Sequence, residues 1–248
     1  MDDIRTFWND VADDWRIQVG VDGDVNRRLN SDPVLWRLAG DVTGLAVLDA
    51  GCGTGYLSAK LHERGARVIG VDLSERMIEI ARASHPDLDF RVDSCSDLDT
   101  IESASIDLIV SNYVLMDTPD LPGTMSAFHR VLKPHGIAIL VFSHPCFPQG
   151  RATESETTGA VRYTWDFPYF EEQRCTDLPW GQFRSDFIWF HRPLSAYWKA
   201  FRAAGFEILD FEEPRLDPDQ EPAGVSADAV QKCRTRPYSV AFRLRKVG

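Results

Sequence analysis

A carboxylate and three glycines at alternate positions stand together in Val47-Leu48-Asp49-Ala50-Gly51-Cys52-Gly53-Thr54-Gly55. Residues 45–50 form a short apolar run and residues 56–64 have helical spacing, so the glycines occupy a strand-to-helix turn. Glycine tolerates positive φ and lets the backbone come close to a ligand. The helix that follows presents unpaired N–H groups. A ligand is therefore expected at this turn, against the carboxyl end of the strand. The spacing is GxGxG followed by Tyr56, not the GxGxxG of dinucleotide binders. Asp49, two residues before Gly51, would repel a pyrophosphate and would suit an ammonium group. Asp72 follows Gly55 by 17 residues and closes a second apolar run, where a carboxylate can accept hydrogen bonds from both hydroxyls of a ribose. Asp72 or Ser74 can equally cap the next helix. Asp93 and Ser94 follow a third, weaker strand and could meet an adenine edge.

A second set of reactive residues lies later in the chain. His144 directly follows the most apolar run, 137–143, and His191 precedes a helix at 194–204. Imidazole titrates near neutrality, so each is a candidate general base, and each can equally be a structural hydrogen-bonding residue. Tyr113 is a third candidate catalytic residue, with Asp117 and Tyr169 as further options. Between the histidines, residues 145–192 are crowded with aromatics, Phe147, Trp165, Tyr169 and Trp189 among them. At the carboxyl edge of a sheet such a segment suits a lid over a flat apolar or heteroaromatic molecule. The alternative is a satellite hydrophobic cluster under a long loop.

The elements that must hold these groups alternate. Strands are expected at 45–50, 67–71, 89–92, 105–111 and 137–143, and helices at 56–64, 74–84 and 121–132. Lys133-Pro134-His135-Gly136 ends the last of these helices. The alternation predicts βαβ units and a parallel sheet with helices on both faces. Near-continuous apolar runs fit strands buried on both sides. Ahead of this core, Ile4, Phe7, Trp8, Val11, Ala12 and Trp15 recur at helical spacing, and a second helix is expected at 32–39 with Ser31 or Asp32 as its cap. Behind it come the irregular aromatic stretch, the helix at 194–204, a strand at 206–211, a polar loop at 212–236 with room for one helical turn, and a last strand at 238–244.

Acidic residues outnumber basic ones 38 to 27, for a formal net charge of −11, which argues against a nucleic-acid partner whose phosphates demand a basic face. The five cysteines are scattered, with no CxxC pair and no histidine cluster, which argues against a disulfide framework or a zinc site and fits a reducing compartment. The first residues are acidic and amphipathic, unlike a signal peptide, and no apolar run approaches the ~20 residues of a membrane span. A cytoplasmic chain without a membrane partner is expected.

Four segments of residues 45–143 carry a family resemblance: LDAGCGTGYLS, VIGVDLSERMIEIAR, DLIVSNYVLMDTPD and FHRVLKPHGIAILVF. Together they resemble the core of the class I, Rossmann-like S-adenosylmethionine-dependent methyltransferases, most of all the small-molecule UbiE-like (Methyltransferase-11) branch. In the last segment His135-Gly136 stands where the family has two glycines. HRPLSAYWKAFRAAGFEI is similar to the distal part of that branch. The resemblance implies an α/β fold, a doubly wound, mostly parallel sheet of seven strands with the last antiparallel and helices on both faces. It implies S-adenosylmethionine as cofactor and S-adenosylhomocysteine as product. Asp49, Gly51, Cys52 and Gly53 would line the methionine end, Cys52 through its backbone. Asp72 would bind ribose, with Leu73 and Met77 against the adenine and Asp93 and Ser94 at its amino group. Ser111 and Tyr113 would sit beside the transferred methyl, and Trp8 or Trp15 would close over the cofactor. Ser111-Asn112-Tyr113 stands where metal-dependent catechol-type enzymes carry an acidic cluster, so no metal is expected.

The expected function is methyl transfer to an O, N or C atom of a small aromatic or heteroaromatic metabolite. The alternatives are an NAD(P)-dependent oxidoreductase, an S-adenosylmethionine-binding protein that transfers no methyl, and an RNA or protein methyltransferase. A single domain is expected, with a helical cap (1–40), a cofactor-binding core (41–144), a lid insertion (145–192) and a C-terminal helix with strands (193–248). It would act on a small-molecule acceptor as a monomer or homodimer.

Overall fold

The computed structural model describes residues 2–148, 152–155 and 158–247. Its centre is a sheet of seven strands: β1 (Ala46–Ala50), β2 (Arg67–Asp72), β3 (Asp89–Val92), β4 (Ile106–Asn112), β5 (Leu132–Ser143), β10 (Phe206–Glu212) and β11 (Ser239–Lys246). The spatial order is β10-β11-β5-β4-β1-β2-β3. The first five strands are mutually parallel, and β11 runs antiparallel to β5 and to the outer β10. The chain moves outward from β1 to β3, then returns to place β4 on the other side of β1. This reversal opens a crevice at the carboxyl ends of β1 and β4, where open α/β sheets bind ligands.

Alternation along the strands explains why these runs are so apolar. Leu48, Ile109, Leu140 and Phe142 face one side of the sheet and join a core with Phe128, Tyr197 and Phe201. Val47, Leu108, Val110, Ile139 and Val141 face the other side and join Leu35, Tyr56, Leu57 and Leu61. Successive side chains of a strand point to opposite faces. With helices covering both faces, these positions are buried on either side, and each such aliphatic or aromatic side chain contributes roughly 1.5–3 kcal/mol. The covering helices are α2 (Asp32–Ala39) and α3 (Tyr56–Glu63) on one side, with α5 (Leu121–Val131) and α6 (Leu194–Ala203) on the other.

α1 (Asp2–Val19) lies across α4 (Glu75–Ser84), with Ala12 packed on Met77 and Ile80. Polar contacts lock the pair. Ser74 caps α4 by accepting from the Met77 amide at 3.0 Å, and its own hydroxyl donates to Asn9 Oδ1 at 2.7 Å. Arg76 pairs with Asp13 at 2.9 Å. Among the described residues no helix is long and apolar enough to cross a membrane.

Four expectations need correction. Ser31 is not a cap: its φ and ψ are −75° and −42°, and it makes no capping bond. It belongs to a π-helical turn, Arg27–Ser31, that runs into α2. The Asp32 carboxylate instead accepts from Tyr56 Oη at 2.7 Å, tying the N-terminal cap to the core. Lys133–Gly136 does end α5, but the chain is already strand, because β5 begins at Leu132 and takes up a register shift opposite Ile106 and Leu108. The polar stretch after β10 contains a nine-residue helix, α7 (Ala227–Thr235), capped by Ser226. The aromatic stretch holds two hairpins, β6 (Ala152–Glu154) with β7 (Val161–Tyr163) and β8 (Gln173–Asp177) with β9 (Phe187–His191). Cross-strand backbone pairing, invisible to a period count over so many rings, organises that region.

Candidate active site

The glycine turn after β1 is built by its own backbone. The Gly51 and Cys52 amides donate to Val71 O at 2.8 and 2.9 Å, which pins the turn to the end of β2. Gly51 has φ +78°, and a Cβ there would lie 2.3 Å from Val114 Cγ2, so only glycine fits. The Gly53 amide donates to Asp72 Oδ2 at 2.9 Å, and the Ser74 amide to Asp72 Oδ1 at 2.9 Å. Asp72 thus bridges the glycine turn and the entry to α4, while Ser74 does the capping. Asp49 is 1 % exposed and accepts from Ser58 Oγ at 2.6 Å. Burial, with some repulsion from Asp72, pushes its pKa up to about 7. The Ser58 hydrogen bond offsets only part of that burial, so a cation brought to this carboxyl would stabilise its anion further.

These groups line an open cleft. Asp49, Gly51, Cys52, Gly53, Asp72, Leu73, Met77 and Ser94 border it, under Trp8 and Trp15. The two indoles meet edge to face at 5.4 Å, and the position of a Cβ on Gly53 would be 3.6 Å from Trp15 Nε1. Two expected residues lie elsewhere. Asp93 is not among those bordering the cleft: its carboxylate accepts from the Ser94 amide, the Thr100 amide and the Thr100 hydroxyl, and so braces the loop. Ser111 is 1 % exposed beneath the cleft, and its neighbour Asn112 borders it instead. Arg27 and Asn112 also border the cleft and were missed. Arg27 sits on the π-helical turn, which has no apolar period to announce it.

A second, broader cavity opens on the lid side and shares Trp8, Trp15, Arg27, Tyr113 and Asp117 with the first. Tyr113 has φ +59°, uncommon for a side chain of its size. Its amide donates to Val141 O at 2.7 Å, its hydroxyl is enclosed against Asn26 and Ser239 without a well-formed bond, and burial raises its pKa. Trp189 borders this cavity. The other three expected substrate residues pack behind it. Phe147 meets His144 edge on at 4.8 Å, and Trp165 and Tyr169 surround His191 at 5.1 and 5.5 Å.

Both histidines border the cavity and are engaged. His144 accepts the Cys146 amide on Nδ1 at 3.1 Å and meets Glu213 at 2.7 Å through Nε2, so Nε2 carries the proton. Burial lowers its pKa against the pull of Glu213. His191 donates from Nε2 to Tyr169 O at 2.7 Å. Tyr169 in turn accepts the Leu194 amide at the start of α6. Sequence gave no hint of Glu213, 69 residues from His144.

Residues 48–140 match a family described as a methyltransferase domain. A demethylmenaquinone methyltransferase of Lactococcus lactis is 37 % identical over 128 residues, covering 46 % of this chain and 50 % of that protein. A ubiquinone biosynthesis O-methyltransferase of Xanthomonas oryzae is 36 % identical over 100 residues, covering 39 % and 42 %. The chain therefore spans half or less of these curated relatives. The crystal structure of an S-adenosylmethionine-dependent methyltransferase from Mesorhizobium loti superposes with a TM-score of 0.73 at 25 % identity, covering 92 % of this chain and all of that one. The matched core is thus that of a methyltransferase domain, and the sheet is similar to that of S-adenosylmethionine-dependent methyltransferases.

Proposed function

We propose that the chain moves a methyl group from S-adenosylmethionine to an O, N or C atom of a small aromatic or heteroaromatic acceptor. The observation that carries this is the junction of two cavities at Tyr113 and Asp117, one suited to the cofactor and one rich in rings. The charges of the first fit that cofactor. Three carboxyl groups, Asp49, Asp72 and Asp117, border it together with, among the described residues, a single guanidinium, Arg27, itself paired to Asp24 at 2.8 Å. A cleft with that balance favours a cationic ligand and disfavours the pyrophosphate of NAD.

In this reading Asp49 meets the ammonium group and Asp72 the ribose hydroxyls. Leu73 and Met77 flank the adenine, with Ser94 at its edge and Asp93 holding that loop. Trp8 and Trp15 cover the site. Bound there, the cofactor supplies a methyl already activated on a sulfonium. The protein's work is to orient the acceptor and exclude water, and the hairpins of 145–192 serve as the lid that does so.

Calorimetric titration with S-adenosylhomocysteine, with NADH as control, tests the cofactor. Micromolar binding of the former alone is expected, and binding of NADH alone would reverse the reading. S-adenosylhomocysteine release should then follow when phenols, aromatic amines and N-heterocycles are offered with S-adenosylmethionine. Binding without turnover of any of them would favour a cofactor-binding protein that transfers no methyl.

A further inference from the structure

Asp117 is the carboxyl group that stands where the two cavities meet, bordering both. It lies in the loop after β4, and that loop is held from the lid side. The Phe190 amide of β9 donates to Met116 O at 2.7 Å. The Arg192 guanidinium, 5 % exposed, donates to the carbonyls of Leu115, Thr118 and Pro119 at 3.2, 2.7 and 3.0 Å. Its remaining charge faces Glu172 at 3.7 Å. Arg192 is thus spent on the loop's carbonyls and on Glu172. Among the described residues the Asp117 carboxyl has no hydrogen bond or ion pair, although its loop is firmly placed. Burial alone raises its pKa well above the usual carboxylate range. The other ionisable groups around it are Tyr113 on its own loop, Arg192 and His191 at the end of the lid, and Tyr197 on α6, whose hydroxyl feels both Asp117 and Arg192. Asp49 and Asp72 border the same cleft.

Resting on the methyl-transfer reading above, we propose that Asp117 is the general base that takes the acceptor's proton, which marks the acceptor as a protic nucleophile with an O–H or N–H group. The acceptor's lone pair forms the new bond to the methyl carbon as the S–C bond breaks, and the pair of that bond stays on sulfur. The acceptor's proton passes to an Asp117 carboxylate oxygen. One positive and one negative charge enter the step and two neutral groups leave it. A desolvated site favours such charge annihilation. It also explains why no cation among the described residues sits on Asp117. A fixed partner would hold the carboxylate ionised and weaken it as a base.

The same logic predicts that Asp117 senses the sulfonium. Infrared difference spectra at neutral pH compare the protein with S-adenosylmethionine and with S-adenosylhomocysteine. Both ligands bring the ammonium group to Asp49, so its response cancels, and only the former brings a sulfonium. The expected result is a protonated-carboxyl stretch present with S-adenosylhomocysteine and lost with S-adenosylmethionine. That difference should vanish in Asp117→Asn and return, shifted, in Asp117→Glu, which also serves if the amide variant does not fold. Identical wild-type spectra with the two ligands would overturn the proposal. With an acceptor found by the screen, Asp117→Asn should lower kcat by about 10²–10⁴-fold while S-adenosylhomocysteine affinity holds. A wild-type turnover retained in Asp117→Asn would overturn it as well. Failure of the wild-type protein to bind either ligand would defeat the methyl-transfer reading itself, and this inference with it.

Discussion

The two halves of the site are built by different means. On the cofactor side, carboxylates are held by main-chain amides close by in the fold: Asp72 by Gly53 and Ser74, Asp93 by Ser94 and Thr100. On the lid side, Trp165 and Tyr169 meet His191 edge to face, and the histidines bond within the lid or to a distant carboxylate. A backbone-built site tolerates little change, because moving one amide moves the turn. A ring-built site can exchange one side chain for another and recognise a different acceptor. That contrast fits a core whose architecture recurs in relatives named for different substrates.

The contrast can be broken at its rigid end first. Gly51→Val places a Cβ into Val114 and forces a branched residue to φ +78°, at a strain of about 1–3 kcal/mol before the clash is counted. S-adenosylhomocysteine binding should fall below calorimetric detection, and an affinity near that of the wild type would mean the turn is not the binding element. The next effect concerns pH. Asp49, held near 7 by burial, is neutral below that pH and anionic above it. An ammonium-bearing ligand selects the anion, so affinity should fall by up to about tenfold per unit as pH drops below 7 and stay level above it. Asp49→Asn should flatten the profile at a uniformly weaker value, and a wild-type profile already flat from pH 5 to about 8 would remove Asp49 from the ammonium site.

The lid end should respond differently. Trp189→Ala should raise the acceptor KM by about tenfold, the worth of one buried aromatic contact, and leave S-adenosylhomocysteine affinity unchanged. A loss of both would show that the two halves are coupled more tightly than their construction suggests. The smallest effect is expected at His144, whose acceptor nitrogen already holds an amide. His144→Gln should cost about 1 kcal/mol of stability in thermal melts and leave turnover within about threefold. A loss of turnover by about 10²-fold would make His144 the base and displace Asp117 from that role.

How much of this was legible in the residues follows from the range of the interactions. The glycine turn, Asp49, Asp72 and the alternation of strands and helices are set by contacts within a few dozen residues, between one strand, one turn and the next strand. Their geometry is written in residue type: glycine where φ is positive, a hydroxyl where α4 needs a cap, unbroken apolar runs where helices cover both faces. Tertiary structure decided which of two adjacent residues borders the cleft: Asn112 rather than Ser111 at the end of β4, where one step turns a side chain through about 180°, and Ser94 rather than Asp93 in the loop after β3, where the Asp93 carboxylate is turned onto Thr100. It paired His144 with Glu213 and so took its acceptor nitrogen out of play, and it folded the aromatic run into hairpins. It also left Asp117 without a partner among the described residues, between two cavities, while Arg192 bonds the carbonyls around it. A carboxylate's role depends on what reaches it, and the guanidinium that bonds the carbonyls around Asp117, and not Asp117 itself, comes from the end of the lid, 75 residues away in the chain.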